Sequence, residues 1–199
     1  MADLVDRGLH SEQGLLFVIN GSKALRKAIR QVFGHEVPVQ RCVQHKARNV
    51  LDHLPERDRD AVKRRLRQAW AETSHAIALE QLTALAVELD RPHPGASLRE
   101  GLEETLTVIR LGITGKLQRT LQSTNPCESM ISTVRAINRN VKSWSSGEMC
   151  LRWTAAGMLE AEARFRKVEG YRGLAGLAVT IERELTNRRN KELATTHNL

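Results

Sequence analysis

The amino-acid sequence predicts an α/β protein that is predominantly helical, with one short strand–helix–strand unit at its start. A continuous apolar run at 15–19 is typical of a strand buried on both faces. Residues 37–44 show a two-residue alternation with three valines on one side, which predicts a second strand. After Pro55 the chain is rich in charged residues, with apolar side chains at helical spacing, which predicts helices for most of the remainder.

A helix is predicted between the two strands. Gly21 and Ser22 turn the chain into this helix, and Gly34 is well placed to end it. Its apolar side carries five residues: Leu25, Ala28, Ile29, Val32 and Phe33. The two strands should then be parallel and joined by a right-handed crossover. Because two strands alone do not form a stable sheet, we expect partner strands from upstream sequence or from another chain.

The middle of the chain is predicted to contain three helices. The first covers 58–71, Ser74 caps the second, and the Pro- and Gly-containing segment 91–95 ends it. Ser97 and Glu100 have the spacing of a capping box for the third. The apolar positions of the three helices are Val62, Leu66, Ala69 and Trp70, then Leu79, Leu82, Leu85, Ala86 and Leu89, then Leu98, Leu102, Leu106 and Ile109.

Two further helices, at 126–142 and 148–168, and a polar tail after Ala178 complete the prediction. Gly112 and Gly115 bracket a short connector before them. The apolar stripe of the second helix consists of Leu151, Ala155, Met158 and Phe165.

Composition restricts the class of protein. The formal net charge is +8 and the pI is near 9.9, which fits a polyanion partner or simply a basic surface. The three cysteines have no disulfide-like spacing, which favours a reducing compartment. The longest apolar run is far shorter than a bilayer span, and the first residues lack a signal-peptide core. These features predict a cytoplasmic protein without a membrane segment.

The segment 123–130, Ser-Thr-Asn-Pro-Cys-Glu-Ser-Met, carries the first candidate for chemistry. Asn125 is a good N-cap, and Glu128 follows it by three residues, so Glu128 could serve only as a capping-box partner. On a helical wheel, however, Glu128 projects with Arg135 and Arg139 from the side opposite the apolar face. A carboxylate with two guanidinium groups suits a metal-and-phosphate cleft, and it equally suits a solvated helix face.

Asn20 is the second candidate, because it follows the first predicted strand at its carboxyl end. Ligands of open α/β sheets bind at this edge. Two-metal phosphoryl transfer needs converging carboxylates, so an aspartate would be natural at position 20. Asparagine keeps the shape and one carbonyl oxygen but lacks the negative charge that Mg²⁺ prefers. The alternative is that Asn20-Gly21 is only a turn dipeptide.

Cys42 and His45 have a C-x₂-H spacing, but structural zinc requires four ligands and no clear second pair follows. Trp144 and Trp153 lie near Lys142 and Arg152 in the sequence. They could stack on bases, whereas packing in the core is the commoner fate of tryptophan.

The basic run 63–67, which contains Lys63 and Arg64, falls in the helical middle of the chain. Such a run is usually a solvated helix face, and in a DNA-binding protein it could contact phosphates.

Five segments, in this order, resemble the catalytic region of bacterial insertion-sequence transposases of the mutator type. The resemblance runs from about Leu4 to about Val179. The segments are 17–25 (Phe-Val-Ile-Asn-Gly-Ser-Lys-Ala-Leu), 39–49 (Val-Gln-Arg-Cys-Val-Gln-His-Lys-Ala-Arg-Asn), 123–130, 139–147 (Arg-Asn-Val-Lys-Ser-Trp-Ser-Ser-Gly) and 151–162 (Leu-Arg-Trp-Thr-Ala-Ala-Gly-Met-Leu-Glu-Ala-Glu).

The resemblance implies an RNase H-like fold with a helical insertion, and Mg²⁺-dependent DNA cleavage and strand transfer by an Asp-Asp-Glu set. The family's second aspartate falls on Asn20 and its glutamate, a metal ligand, falls on Glu128. The first aspartate belongs to an earlier strand outside this sequence, and Asp3 and Asp6 do not replace it. The resemblance divides the chain into a partial RNase H-like core at 1–54, a helical insertion at 55–122, C-terminal catalytic-domain helices at 123–180 and a polar tail at 181–199.

The sequence therefore predicts a transposase chain that is inactive by itself and binds Mg²⁺ weakly or not at all. Its expected partner is DNA, at the element ends and the target. The expected contacts are Arg135, Arg139, Lys142, Arg152, Lys63 and Arg64. One alternative is a DNA-binding transposase remnant without catalysis. Another is an inert chain that buries its open sheet edge by forming a homo-oligomer.

Overall fold

The fold is predominantly helical, with 68% of the chain in helix and one small parallel sheet, as the sequence predicts. The computed structural model describes residues 1–9, 14–93 and 96–196. The chain forms two compact units, one made of Met1–Ser123 with Gly170–Leu199 and the other of Thr124–Glu169.

The predicted strand–helix–strand unit is present in the first unit, after a short helix α1 (Ala2–Asp6). Strand β1 (Phe17–Ile19) leads into α2 (Lys23–Phe33), which is followed by β2 (Val39–Arg41). The two strands are parallel, and Ile19 lies opposite Arg41 in the register.

Helix α2 forms where its capping residues predict. The hydroxyl of Ser22 accepts a hydrogen bond from the Leu25 amide at 3.3 Å, and Gly34 ends the helix with a positive φ of 88°. Fully buried Ile29 packs with Ile19 of β1. The exposed position of Val32 contradicts the predicted apolar side, because the helix is turned with Ile29 at the centre of its contact.

The second strand is shorter than predicted. It covers three residues, and Val43 begins a helix that the sequence did not predict, α3 (Val43–Leu51). Val43 and Val50 are buried on one side of α3, and Lys46 lies between them, also buried. Because Lys46 is charged, the sequence did not show the helical spacing of the buried positions in α3.

Six helices, α3 to α8, follow β2 in the first unit, and α3 to α7 contribute residues to its main core. After α3 these helices are α4 (Glu56–Ala71), α5 (His75–Asp90), α6 (Leu102–Thr105), α7 (Thr107–Arg110) and α8 (Gly115–Leu121). The core positions predicted for α4 are buried together, and so are Leu82, Leu85, Ala86 and Leu89 of α5. Ser74 caps α5 as predicted, since its hydroxyl accepts a hydrogen bond from the Ile77 amide at 3.5 Å.

The predicted capping box at Ser97 and Glu100 is wrong. The next helix begins only at Leu102, after Gly101 in the left-handed conformation with φ +66°. The carboxylate of Glu100 bonds to Arg41 instead of a helix N-terminus. Helix α8, which the sequence did not predict, begins at Gly115, the last residue of the predicted connector. Of the predicted break at 91–95, the last two residues lie outside the described residues.

The second unit contains α9 (Asn125–Ile137), a 3₁₀ turn (Asn138–Asn140) and α10 (Gly147–Ala163). Helix α10 packs on α9 through a glycine, because a Cβ added at Gly157 would lie 3.0 Å from Cγ1 of Val134. The predicted apolar stripe of α10 is therefore wrong: Gly157 and Ala161 are buried. The stripe residues Leu151, Ala155, Met158 and Phe165 are exposed.

The predicted polar tail is helical as far as Thr196, in α11 (Leu174–Thr196). Leu177, Ile181 and Leu185 are buried and share a cluster with Leu111, which explains the order of this helix. Residues 197–199 of the predicted tail lie outside the described residues. Within the part of the chain that the structure describes, every helix is too short or too polar to cross a bilayer.

Candidate functional site

Asn20 lies directly after β1, at the carboxyl edge of the parallel sheet, where the sequence predicts it. Its side chain is exposed, and its Oδ1 accepts a hydrogen bond from the Ser22 amide at 3.1 Å. This bond shows that the side chain also stabilises the turn into α2. Gly21 has a φ of +100°, a conformation that favours glycine.

The end of β2 lies against this turn. A Cβ added at Gly21 would lie only 2.6 Å from Nε of Arg41, so the glycine leaves room for the guanidinium. Arg41 is buried, and its Nη1 donates to the Glu100 carboxylate at 2.6 Å and to the Glu100 carbonyl at 3.0 Å. The sheet edge is therefore fixed to the segment before α6.

Lys46 contacts the same glutamate and is only 1% exposed. Its Nζ donates to the Ser97 carbonyl at 2.7 Å and to the Glu100 carbonyl at 2.6 Å, and lies 3.6 Å from the Glu100 carboxylate. Burial lowers the pKa of Lys46 to about 8, and the charge of Arg41 acts in the same direction against the opposing effect of Glu100.

The carboxylate of Glu100 balances two cations. Burial alone would raise the pKa of Glu100, but the hydrogen bond and charge of Arg41, with Lys46 and Lys23, hold that pKa below its usual range. Sequence reasoning missed this cluster, because Glu100 also fitted a capping box and Lys46 also fitted a strand-to-loop segment.

Buried Gln40 in β2 connects the sheet to α6 and α7. Its Nε2 donates to the Thr105 carbonyl at 2.9 Å, and its Oε1 accepts from the Val108 amide at 2.8 Å. The hydroxyl of Thr107 donates to the Val39 carbonyl at 2.7 Å. These bonds show that helices, rather than a third strand, lie beside β2.

The Cys42–His45 pair lies at the start of α3. Cys42 is fully buried, with Sγ 4.0 Å from the Ser123 hydroxyl, and His45 is partly buried. Among the described residues, no three His, Cys, Asp or Glu side chains are grouped so that they could hold a metal ion. That this pair does not form a structural zinc site, as its incomplete ligand set indicates, stays a prediction.

Glu128 lies in the first turn of α9 and is exposed. The N-cap is Thr124 rather than the predicted Asn125, and Thr124 makes no side-chain cap bond to a helix amide. Instead its hydroxyl donates to the Glu128 carboxylate at 2.7 Å. The predicted capping box with Asn125 is therefore wrong, and the exposed carboxylate faces solvent near the start of the helix.

All six predicted DNA contacts are exposed cations. Lys63 and Arg64 lie on α4, in the first unit. The four in the second unit are Arg135, Arg139, Lys142 and Arg152. Arg152 pairs with Glu148 one turn away on α10. Their exposure is compatible with phosphate contacts, and the contacts themselves stay a prediction.

The tryptophans of the second unit are exposed. The exposed fraction is 45% for Trp144 and 41% for Trp153, so the expectation of core packing is wrong for both. Trp70 is the buried tryptophan of α4, and its Nε1 donates to the Thr105 hydroxyl at 3.1 Å.

The donor set does not fit the Mg²⁺ site that the resemblance implies. Asn20 supplies a neutral amide whose oxygen already accepts the Ser22 amide, and Glu128 supplies one carboxylate. Hard divalent cations require several oxygen ligands, usually with more than one carboxylate. The grouping of acidic residues that such a site needs is not found in the described part of the chain.

The family profile and the curated proteins that this chain resembles are all described as transposases. The profile of the family described as "Transposase, Mutator family" matches residues 1–167. Over 171 residues the chain is 30% identical to the "Transposase for insertion sequence element ISRM5" of Rhizobium meliloti (strain 1021), covering 84% of this chain and 42% of that protein. Over 165 residues it is 24% identical to the "Transposase for insertion sequence element IST2" of Acidithiobacillus ferrooxidans, covering 83% and 55%. The chain thus spans about half the length of these curated relatives.

Proposed function

Since this chain belongs to the Mutator family of transposases, we propose that it acts on DNA in the transposition of an insertion sequence. The observation that carries the proposal is the family match over residues 1–167, a range that contains both Asn20 and Glu128. The net charge of +8 and the exposed cations of both units support binding to a polyanion.

Within this proposal Asn20 occupies the second position of an Asp-Asp-Glu set and Glu128 the third. The placement of Asn20 supports this, because ligands of open α/β sheets bind beyond the carboxyl ends of the strands. The parallel β1–α2–β2 unit is the part of an RNase H-like core that we assign to this chain. The intact family would cleave and join DNA with Mg²⁺.

We assign DNA binding without cleavage to residues 1–199 acting alone. The amide of Asn20 cannot contribute the negative charge that a second carboxylate would supply. Glu128 is then the single acidic residue of the set, and its side chain is exposed. Oligomerisation through the outer edge of β2 has less support, because Gln40 and Thr107 already bond that edge to α6 and α7.

One experiment tests both parts of this proposal. The chain is titrated onto a fluorescent DNA duplex, and then incubated with supercoiled plasmid and Mg²⁺ or Mn²⁺. We expect salt-sensitive binding and no metal-dependent nicking. The matched variants are Asn20→Asp, whose carboxylate can still accept the Ser22 amide, and Glu128→Gln.

Two results would contradict the proposal. Nicking by the unmodified chain that disappears in Glu128→Gln would show that it cleaves DNA in spite of Asn20. A chain that binds no duplex even at low salt would remove the DNA-binding function itself.

A further inference from the structure

We propose that one face of α2 binds the phosphate backbone of duplex DNA, in addition to the six cations named above. This inference rests on the proposed function, because it supplies a contact surface for the same partner. The surface, called the α2 basic face, consists of Lys23, Arg26, Lys27 and Arg30.

The spacing of these residues places them together. Positions i, i+3, i+4 and i+7 share one side of a helix, and a different side of α2 buries Ile29 against the sheet. From Lys23 to Arg30 the helix rises about 10 Å, at about 1.5 Å per residue. That length equals about three steps between successive phosphates of one DNA strand, at about 3.4 Å of axial rise each.

The α2 basic face has an excess of positive charge. Helix α2 contains no acidic residue, and an open cavity of about 560 Å³ is lined by the four cations, His35 and Glu100, among others. Such a surface is complementary in charge to a polyanion.

The neighbouring acids are already engaged, one of them by the two arginines of the α2 basic face and the other by cations outside it. Glu104 pairs with both Arg26 and Arg30, and Glu100 is bound by Arg41 and Lys46. Across the described ranges Lys23 and Lys27 form no ion pair, although the charge of Lys23 contributes to lowering the pKa of Glu100. The two lysines therefore carry the charge that remains for a ligand.

The basic run on α4 is a weaker candidate by the same criteria. Its helix begins with Glu56 and Asp58, and Arg65 is held by Glu88, with Nη2 2.7 Å from Oε1. Helix α2 also begins shortly after Asn20, so a DNA strand bound along α2 would pass the sheet edge that carries this residue. The α2 basic face would thereby position DNA at the candidate site.

The test compares two double variants of the full chain in duplex binding at several salt concentrations. Lys23→Gln/Lys27→Gln removes two charges from the α2 basic face. Lys116→Gln/Arg119→Gln removes two charges from exposed positions of α8 and is the matched control. Each neutralised phosphate contributes about 0.9 to the slope of log affinity against log salt. We expect the first variant to lose about 2 from this slope and about 60-fold in affinity at 0.1 M salt, and the control to keep both.

A second measurement needs no variant. Acetylation of lysines is compared by mass spectrometry with and without a short duplex. We expect DNA to protect Lys23 and Lys27 several-fold and to leave Lys116 unprotected.

The outcomes separate this inference from the proposed function. If the unmodified chain binds DNA but the α2 variant keeps the slope of the control, the α2 basic face is not a DNA contact and the proposed function stands. Equal acetylation of Lys23 and Lys27 with and without DNA also overturns the inference. If the unmodified chain binds no duplex at low salt, the inference and the proposed function both fail.

Discussion

Buried Lys46 should make the protein more stable as the solution becomes moderately alkaline. The pKa of Lys46 is about 8 in the folded chain and 10.5 in its ordinary state. Between these values the unfolded chain holds a proton that the folded chain has released, so the free energy of unfolding rises with pH. The expected slope approaches about 1.4 kcal/mol per pH unit, and the rise over the whole window is about 3 kcal/mol.

The assay is urea unfolding followed by circular dichroism at pH 7.5, 8.5, 9.5 and 10.5, because a cooperative transition gives the free energy at each pH. The variant Lys46→Met keeps an unbranched side chain of similar length without the titrating group. Other groups also titrate in this range, so the informative quantity is the difference in slope between the two proteins. We expect the variant to lack the rise that the unmodified chain shows.

Glu100 supplies an internal check on this reasoning. Its charge raises the pKa of Lys46, so Glu100→Gln should lower that pKa further and move the start of the rise to lower pH. The reasoning would be refuted if the stability of the unmodified chain and of Lys46→Met changed with the same slope from pH 8 to 10.5.

Two further predictions concern packing. Replacing Gln40 with Leu leaves the buried Thr105 carbonyl and Val108 amide without partners, and should cost about 2–6 kcal/mol of unfolding free energy in a urea titration. A loss below about 1 kcal/mol would show that water replaces these bonds. Replacing Gly157 with Leu should accelerate amide hydrogen exchange in α9 and α10, because even a Cβ at this position would lie 3.1 Å from Cα of Val134. Helix propensity alone favours Leu by about 1 kcal/mol, so unchanged or slower exchange would contradict the close contact.

Sequence patterns correctly predicted the helices in which the apolar spacing and the capping residues indicate the same element. Ser22 and Ser74 begin helices where expected, and the apolar positions of α4 are buried as a set. These patterns failed where a polar residue is held by a tertiary contact, as at buried Lys46 in α3 and at exposed Glu100 before α6. A single sequence does not show that Lys46 will donate hydrogen bonds to the carbonyl oxygens of Ser97 and Glu100, about fifty residues away.

At the candidate site, too, local sequence predicted some features, while others depend on tertiary contacts. Asn20 at the end of a strand followed from the apolar run and the turn residues, and the structure confirms that position. Which apolar side of α10 is buried could not be predicted, since the choice depends on the close approach that Gly157 permits. The spacing of the cations on α2 was present in the sequence, but no recognised motif drew attention to it.

The discontinuous first unit has a consequence for synthesis on the ribosome. Leu16 and Leu111 are translated before the second unit. Leu177 and Ile181, which share their apolar cluster, belong to the last helix of the described chain and are translated after it. This cluster can close only after the whole second unit has been translated. Contacts between such distant segments form slowly, and the incomplete chain exposes apolar surface until α11 has been synthesised. Premature termination after the second unit would therefore release a product prone to aggregation and degradation.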